Sequence, residues 1–200
     1  MSDETLRAFF ALELPAEARE RAAEARQALR AAVPEGVRWV PSDNLHLTLK
    51  FLGDVGSREV PRLVARAEAK LQAIAPFELE LTGFGALPNA RAARVLWLGV
   101  GKGGRELARI ARKLDAAAAS IGVERERRPF RAHLTLGRLR RPQRVQIERL
   151  EAPGGIAFSV EEVILYESRL SSDGARYVPL ARLPLVEVED AEAREFAPEI

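Results

Sequence analysis

The sequence predicts an α+β fold of two pseudo-symmetric lobes, each an antiparallel sheet packed with helices, enclosing a central cleft. Three observations lead there. Short segments of strand-like alternation take turns with long helical stretches rich in Ala, Glu, Arg and Leu. The same order of elements recurs in the two halves of the 200-residue chain. Each half also carries one copy of the tetrapeptide His-Leu-Thr-Leu, at 46–49 and 133–136.

In order, Leu6–Leu14 reads as a strand, and Pro15 is suited to the first turn of the helix expected over Ala16–Ala32. Pro34-Glu-Gly36 ends that helix. Arg38-Trp39-Val40 leads to the alternating strand Leu45–Leu52, followed by a helix over Ser57–Ile74 with Ser57 as its N-cap. Phe77–Phe84 returns to strand. The second half gives a strand at Arg94–Val100, a helix at Arg105–Ser120 stopped by Gly122, and a strand at Arg131–Leu139. Phe158–Leu170 and Arg176–Leu183 form a closing pair of strands joined by Ser171-Ser-Asp-Gly174. No Gly/Ser linker divides the chain, so residues 1–186 are one bilobal domain and 187–200 an acidic, flexible tail.

Composition narrows the chemistry. With no Cys there is no disulfide framework, thiol nucleophile or Cys-ligated metal, and two His are too few for a zinc site built of imidazoles. The N-terminal stretch lacks the basic and apolar regions of a signal peptide, and no window approaches a membrane span. A cytoplasmic monomer without cofactor, metal or membrane attachment is expected. The basic residues are 27 Arg and only 4 Lys, which suits contacts to phosphate, although genome composition is the bland explanation and accounts for the larger part of the bias.

The doubled tetrapeptide is the sharpest signal. Given 26 Leu and 4 Thr, a His is followed by Leu-Thr-Leu by chance about once in 3,000 times. Both histidines are. Period two puts His46 and Thr48 on one face of their strand, and His133 and Thr135 on one face of theirs. Leu45, Leu47 and Leu49, like Leu134 and Leu136, turn into the core. If the lobes are related by a pseudo-two-fold axis, two imidazoles and two hydroxyls converge on one small site. Phosphodiester hydrolysis needs a base for water and an acid for the departing oxygen on opposite sides of phosphorus. Imidazole serves as either near neutrality, with Thr hydroxyls donating to the phosphoryl oxygens.

The chain resembles the two-histidine phosphoesterases, and within them the RNA 2′,3′-cyclic phosphodiesterases, also called 2′-5′ RNA ligases. The resemblance rests on Arg7-Ala-Phe-Phe-Ala-Leu12, Arg38-Trp39, Asn44-Leu-His-Leu-Thr-Leu-Lys-Phe-Leu-Gly53, Leu96-Trp-Leu-Gly99, Phe130-Arg-Ala-His-Leu-Thr-Leu-Gly-Arg138, Tyr166-Glu-Ser-Arg-Leu170 and Tyr177. Ala132 stands where the family commonly has Pro. The resemblance implies hydrolysis of a terminal 2′,3′-cyclic phosphate to a 2′-phosphomonoester, with weak reversible 2′-5′ joining. It makes His46 the proton donor and His133 the acceptor. The nearly symmetric motifs do not themselves orient the pair. The expected partner is RNA with a cyclic phosphate end, or a small cyclic nucleotide; a non-catalytic RNA-binding protein is the rival from another class.

Eight Arg against one Glu between Arg125 and Arg144 bracket the second motif and suggest a track for an RNA backbone, or else a solvated surface. Within it Arg131, in phase with His133, is the best single candidate for substrate binding, with Arg138 beyond the motif. Lys50, in phase with Thr48, ranks below. Phe130 sits at the strand entrance, where it can stack a base. Trp97 alternates with leucines and is assigned to the core. Gly99-Val-Gly-Lys-Gly-Gly104 matches a dinucleotide-binding spacing, but no parallel βαβ series surrounds it, so it reads as a turn into a helix.

Overall fold

A computed structural model of the chain describes residues 4–33, 35–147, 150, 154–171 and 174–186. The expected tail at 187–200, the helix-ending Pro34 and the turn residues Ser172 and Asp173 lie outside the described residues.

Among the described residues, two antiparallel sheets and three α-helices make up the fold. Strands β1 (Thr5–Glu13), β3 (His46–Gly56), β8 (Glu162–Ser171) and β9 (Gly174–Pro184) form a four-stranded sheet in the order β3-β1-β8-β9. Strands β2 (Val37–Trp39), β4 (Phe77–Leu87), β5 (Ala93–Val100), β6 (His133–Gln143) and β7 (Ile156–Val160) form a five-stranded sheet in the order β2-β6-β5-β4-β7. The helices are α1 (Ala16–Ala32), α2 (Val60–Leu71) and α3 (Gly104–Ala119).

Helix α1 has the predicted bounds. It buries Ala18, Ala22, Ala25 and Leu29, a stripe of mostly small side chains at helical spacing that lets it lie close to its neighbours. Helix α2 starts later than predicted. Ser57 opens a 3-10 turn over Ser57–Glu59, and Val60-Pro61 begins the α-helix without a side-chain cap. Before α3, Gly103 adopts φ +85, and a Cβ there would lie 2.8 Å from the Glu78 carbonyl oxygen. The glycine-rich run is thus a turn packed tightly on β4.

The lobes are not the two halves of the chain. Sheet β3-β1-β8-β9 takes strands from both ends of the sequence, and α3, from the second half, packs on β3. Helix α1, from the first half, packs on β7. The expected single strand Phe158–Leu170 is two strands, β7 and β8, in different sheets, divided at Glu161. Burial alternates along β7, whereas Val163, Ile164, Leu165 and Tyr166 of β8 are buried in succession, with Val163 and Leu165 in the main core and Ile164 and Tyr166 in a second apolar cluster on the other face.

One continuous core joins all three helices to both sheets, with Leu45, Leu47, Leu49, Leu134 and Leu136 inside it. A second, small cluster of Phe9, Ala11, Ile164 and Tyr166 lies apart from it, with Tyr177 against it. Strands β3 and β6 lie against each other, so the sheets meet along the two strands that begin with histidine. Among the described residues no helix is long and apolar enough to cross a membrane.

Candidate active site

Strands β3 and β6 start identically. Each opens on a half-buried His, buried Leu, half-buried Thr and buried Leu. The alternation then breaks at the same place in both. Lys50 and Gly137 are buried directly after Leu49 and Leu136, and Phe51 and Arg138 come out to solvent. Register explains the break. Phe10 pairs with Lys50 while Ala11 pairs with Thr48, and Leu96 pairs with Gly137 while Trp97 pairs with Thr135. Leu49 and Leu136 are therefore the extra residues of two bulges, which move the following residues one step in phase.

The two imidazoles are held alike. His46 Nδ1 lies 2.8 Å from the Asn44 carbonyl oxygen, and His133 Nδ1 lies 2.8 Å from that of Arg131. A carbonyl only accepts, so Nδ1 carries the proton in each ring and Nε2 is the nitrogen left for chemistry. His46 Nε2 lies 3.1 Å from Thr48 Oγ1. Asn44 is itself fixed by donating from Nδ2 to the Ala175 carbonyl oxygen at 2.8 Å, which anchors the entry to β3 on β9.

Their surroundings differ. The His46 ring packs 5.0 Å from Phe9 and stands edge-on to Tyr177 at 5.0 Å between centroids. Burial holds His46 below its ordinary value of 6.5, the bond to Asn44 opposes that, and the positive charge of Arg138 adds to the lowering. A charge from the β6 motif thus acts on the histidine of the β3 motif. His133 has one aromatic neighbour, Trp97, at 6.1 Å and edge-on.

The floor beneath His46 is aromatic. Phe9 stacks on Tyr166 at 5.6 Å and meets Tyr177 edge-on at 5.0 Å. Tyr166 is pushed up to about 12 by burial and by the nearby Glu13 carboxylate, so it stays a neutral phenol. Glu13 pairs across the strands with His46, and its carboxylate joins Arg182, which also binds Glu162. Beneath His133 the floor is Trp97, cross-strand from Thr135. It rests on Gly85, where a Cβ would fall 2.1 Å from the indole ring.

Several sequence expectations need correction. Lys50 does not face the histidines, because the bulge turns it inward to Asp115 and the Glu124 carbonyl oxygen, at 2.6 and 3.0 Å. Phe130 is partly buried and packs against the main core. Arg131 precedes the strand, which begins at His133; its carbonyl oxygen binds His133, and its side chain is solvent-exposed. Trp97, assigned to the core, is half-buried on the same face as Thr135. Arg138 is exposed, and its charge reaches His46. Strict alternation from His133 would turn it away, and the bulge returns it. Phe9, Tyr166 and Phe51 carry part of the resemblance, but the sequence assigns them no role in the site. Phe51 is 64% exposed, and its ring lies 6.1 Å from that of Phe9. The signal for it is the parallel with Arg138, five residues beyond its histidine as Phe51 is beyond His46. Among the described residues no group of three or more His, Asp or Glu is placed to hold a metal ion.

Comparison with known proteins agrees with this doubled arrangement. Residues 12–97 and 98–177 each match the family described as LigT like Phosphoesterase. The chain is 36% identical over 185 residues to the RNA 2′,3′-cyclic phosphodiesterase of Escherichia coli, covering 92% of this chain and 99% of that one. With the enzyme of the same name from Methanothermobacter thermautotrophicus the identity is 33% over 180 residues, covering 88% and 96%. The crystal structure of E. coli LigT complexed with 3′-AMP superposes with a TM-score of 0.78 at 36% identity, over 92% of this chain and all of that one. Usb1 of Kluyveromyces marxianus, at 14% identity and a TM-score of 0.53, shares the fold alone.

Proposed function

The chain belongs to the LigT-like phosphoesterase family, and we propose that it is an RNA 2′,3′-cyclic phosphodiesterase that opens a terminal cyclic phosphate to a 2′-phosphomonoester. The observation that carries this reading is the matched holding of His46 and His133, each with Nδ1 on the carbonyl two residues back. Both Nε2 atoms are thereby set for proton transfer, and an in-line displacement needs one on each side of phosphorus.

In the proposed reaction His133 Nε2 takes a proton from water as its oxygen bonds to phosphorus. The bond from phosphorus to O3′ breaks, and the Nε2 proton of a doubly protonated His46 passes to O3′. Thr48 and Thr135 donate to the non-bridging oxygens, and Arg138 balances their charge. In the reverse direction an RNA 5′-hydroxyl can take the place of water, which gives 2′-5′ joining. No step calls on a metal ion.

Burial supports a second orientation. Because His46 is held below its ordinary value, it is neutral in the resting protein at pH 7, the state of a base. For His46 to donate, the bound phosphodiester anion must raise its proton affinity. With the roles exchanged, His46 itself needs no such rise.

The test is conversion of an RNA oligomer ending in a 2′,3′-cyclic phosphate in excess chelator, with the product's phosphate position mapped. Retained conversion to the 2′-phosphate is expected. A requirement for divalent metal, or a 3′-phosphate product, would sink the scheme.

A further inference from the structure

Next to Phe51 is a groove of about 580 Å³, walled by Lys50, Phe51 and Gly53 of β3 and by Glu124, Arg125 and Arg128 of the segment that leads to β6. Its size falls in the range of small-ligand sites, roughly 300–1,000 Å³. Its charges are not balanced. The Glu124 carboxylate accepts from Arg127 at 2.7 Å, and Glu126 Oε1 accepts from the Arg128 backbone N–H at 3.0 Å. Both acids are thus engaged locally. Among the described residues no carboxylate pairs with the Arg128 guanidinium. Arg125 makes no side-chain hydrogen bond there and acts only electrostatically on Asp115, which Lys50 already neutralises.

The segment bearing these arginines is not a loose loop. Lys50 Nζ donates to Asp115 Oδ1 and to the Glu124 carbonyl oxygen, and Asp115 Oδ1 also accepts from the Glu126 N–H at 3.0 Å. The backbone that carries the arginines is therefore tethered beside β3. Phe51 borders both spaces: its ring touches Phe9, which touches His46. A strand whose end lies between the histidines and which leaves past Phe51 enters this groove.

We propose that the groove is a second nucleotide subsite, in which Arg125 and Arg128 bind the phosphodiester on the 5′ side of the terminal nucleotide. The proposal rests on the reading of the histidine cleft as a cyclic-phosphate site. Two guanidiniums, unpaired among the described residues and carried by one tethered segment, suit a backbone phosphate and read no base, so the subsite selects for chain length and not for sequence. Oligonucleotide ends are then better substrates than cyclic mononucleotides.

The experiment compares kcat/KM for a dinucleotide and a mononucleotide, each ending in a 2′,3′-cyclic phosphate, across a salt series. The wild-type protein should prefer the dinucleotide by about tenfold, with a log–log salt slope steeper by roughly 0.7 for the added phosphate contact. In the double variant Arg125→Gln/Arg128→Gln the preference and the extra slope should both disappear. An intact preference, or equal losses on both substrates, overturns the subsite. If the wild-type protein turns over neither substrate, the proposed activity has failed. Calorimetric binding of a 2′-phosphate-ended dinucleotide against the matching mononucleotide then tests the groove directly. Tighter dinucleotide binding that the double variant abolishes upholds it, and equal binding rejects it.

Discussion

Lys50 Nζ lies 2.6 Å from Asp115 Oδ1, with the Lys50 side chain 8% exposed and that of Asp115 17%. The pair joins three parts of the site: the strand of His46, helix α3, and the segment that leads to the strand of His133. Burial works to raise the Asp115 carboxyl, yet the Lys50 hydrogen bond, the Glu126 N–H and the charges of Lys50 and Arg125 together hold it below its ordinary value. A lysine predicted to touch substrate is instead a strut between the two halves of the cleft.

Removing the strut should cost stability. In Lys50→Met, Asp115 keeps the Glu126 N–H and partial access to water, so the loss should be about 1–3 kcal/mol, below that of a fully buried broken pair. Asp115→Asn should cost a similar amount, and the double variant less than the sum. Urea unfolding of the four proteins measures this. Additive losses would mean that the two side chains do not act as a pair.

The burial of His46 predicts a pH dependence. Its folded value lies below 6.5 while its unfolded value is near the ordinary one. Between the two, the unfolded chain binds more protons than the folded one, so stability rises with pH across that window. The contribution is complete above 6.5 and is lost as pH falls through the folded value. His46→Gln should flatten this part of the urea-midpoint profile between about pH 7.5 and about pH 5. In an NMR titration the chain's two histidine ring signals give the folded value directly, and a His46 midpoint at or above 6.5 contradicts its desolvation.

Either histidine should be indispensable. His46→Ala and His133→Ala should each lower kcat on a cyclic-phosphate end by at least about a hundredfold. A phosphodiester with a phenolic leaving group needs little protonation as it departs. On that substrate the variant lacking the acid should recover much of its loss. Recovery in the His46 variant assigns His46 as donor, and recovery in the His133 variant reverses the roles. Full activity in either variant on the cyclic end rules out two-imidazole catalysis.

Tyr177 should act through its ring. Tyr177→Phe keeps the edge contact to His46, whereas Tyr177→Ala removes it and opens the imidazole to water. The expected result is a His46 titration midpoint near wild type in the first variant and raised toward 6.5 in the second. The alanine variant should also lose about 0.5–1.5 kcal/mol for the ring contact beyond the area it uncovers. Equal midpoints in the two variants would remove Tyr177 as the source of burial.

The four motif residues and the leucines between them were legible because each strand's alternation is a local property. Helix α1 was legible for the same reason, through its 3.6-residue spacing. The directions in which Lys50, Arg138 and Phe51 face were not, although the arginine cluster points to Arg138, because a bulge shifts phase by one residue without any mark in composition, and extrapolation past Thr48 or Thr135 fails from there on. Trp97 was misplaced because its leucine neighbours fix only that they face the other way. The division at Glu161 and the exchange of strands between halves depend on pairings far apart in sequence, which periodicity does not record.

The exchange of strands sets the order in which the protein can be completed during synthesis. Strand β1 leaves the ribosome long before its partner β8, which starts at Glu162, and the edge strand β9 ends at Pro184. Until those residues emerge, His46 has no Tyr177 beside it, and Asn44 has no Ala175 carbonyl to bind. A chain halted after the second motif would hold both histidines without the aromatic floor that surrounds one of them. Assembly of the two-histidine cleft is thus deferred until β9 has emerged, and over the stretch between the second motif and Pro184 a nascent chain carries both motifs with the site unmade.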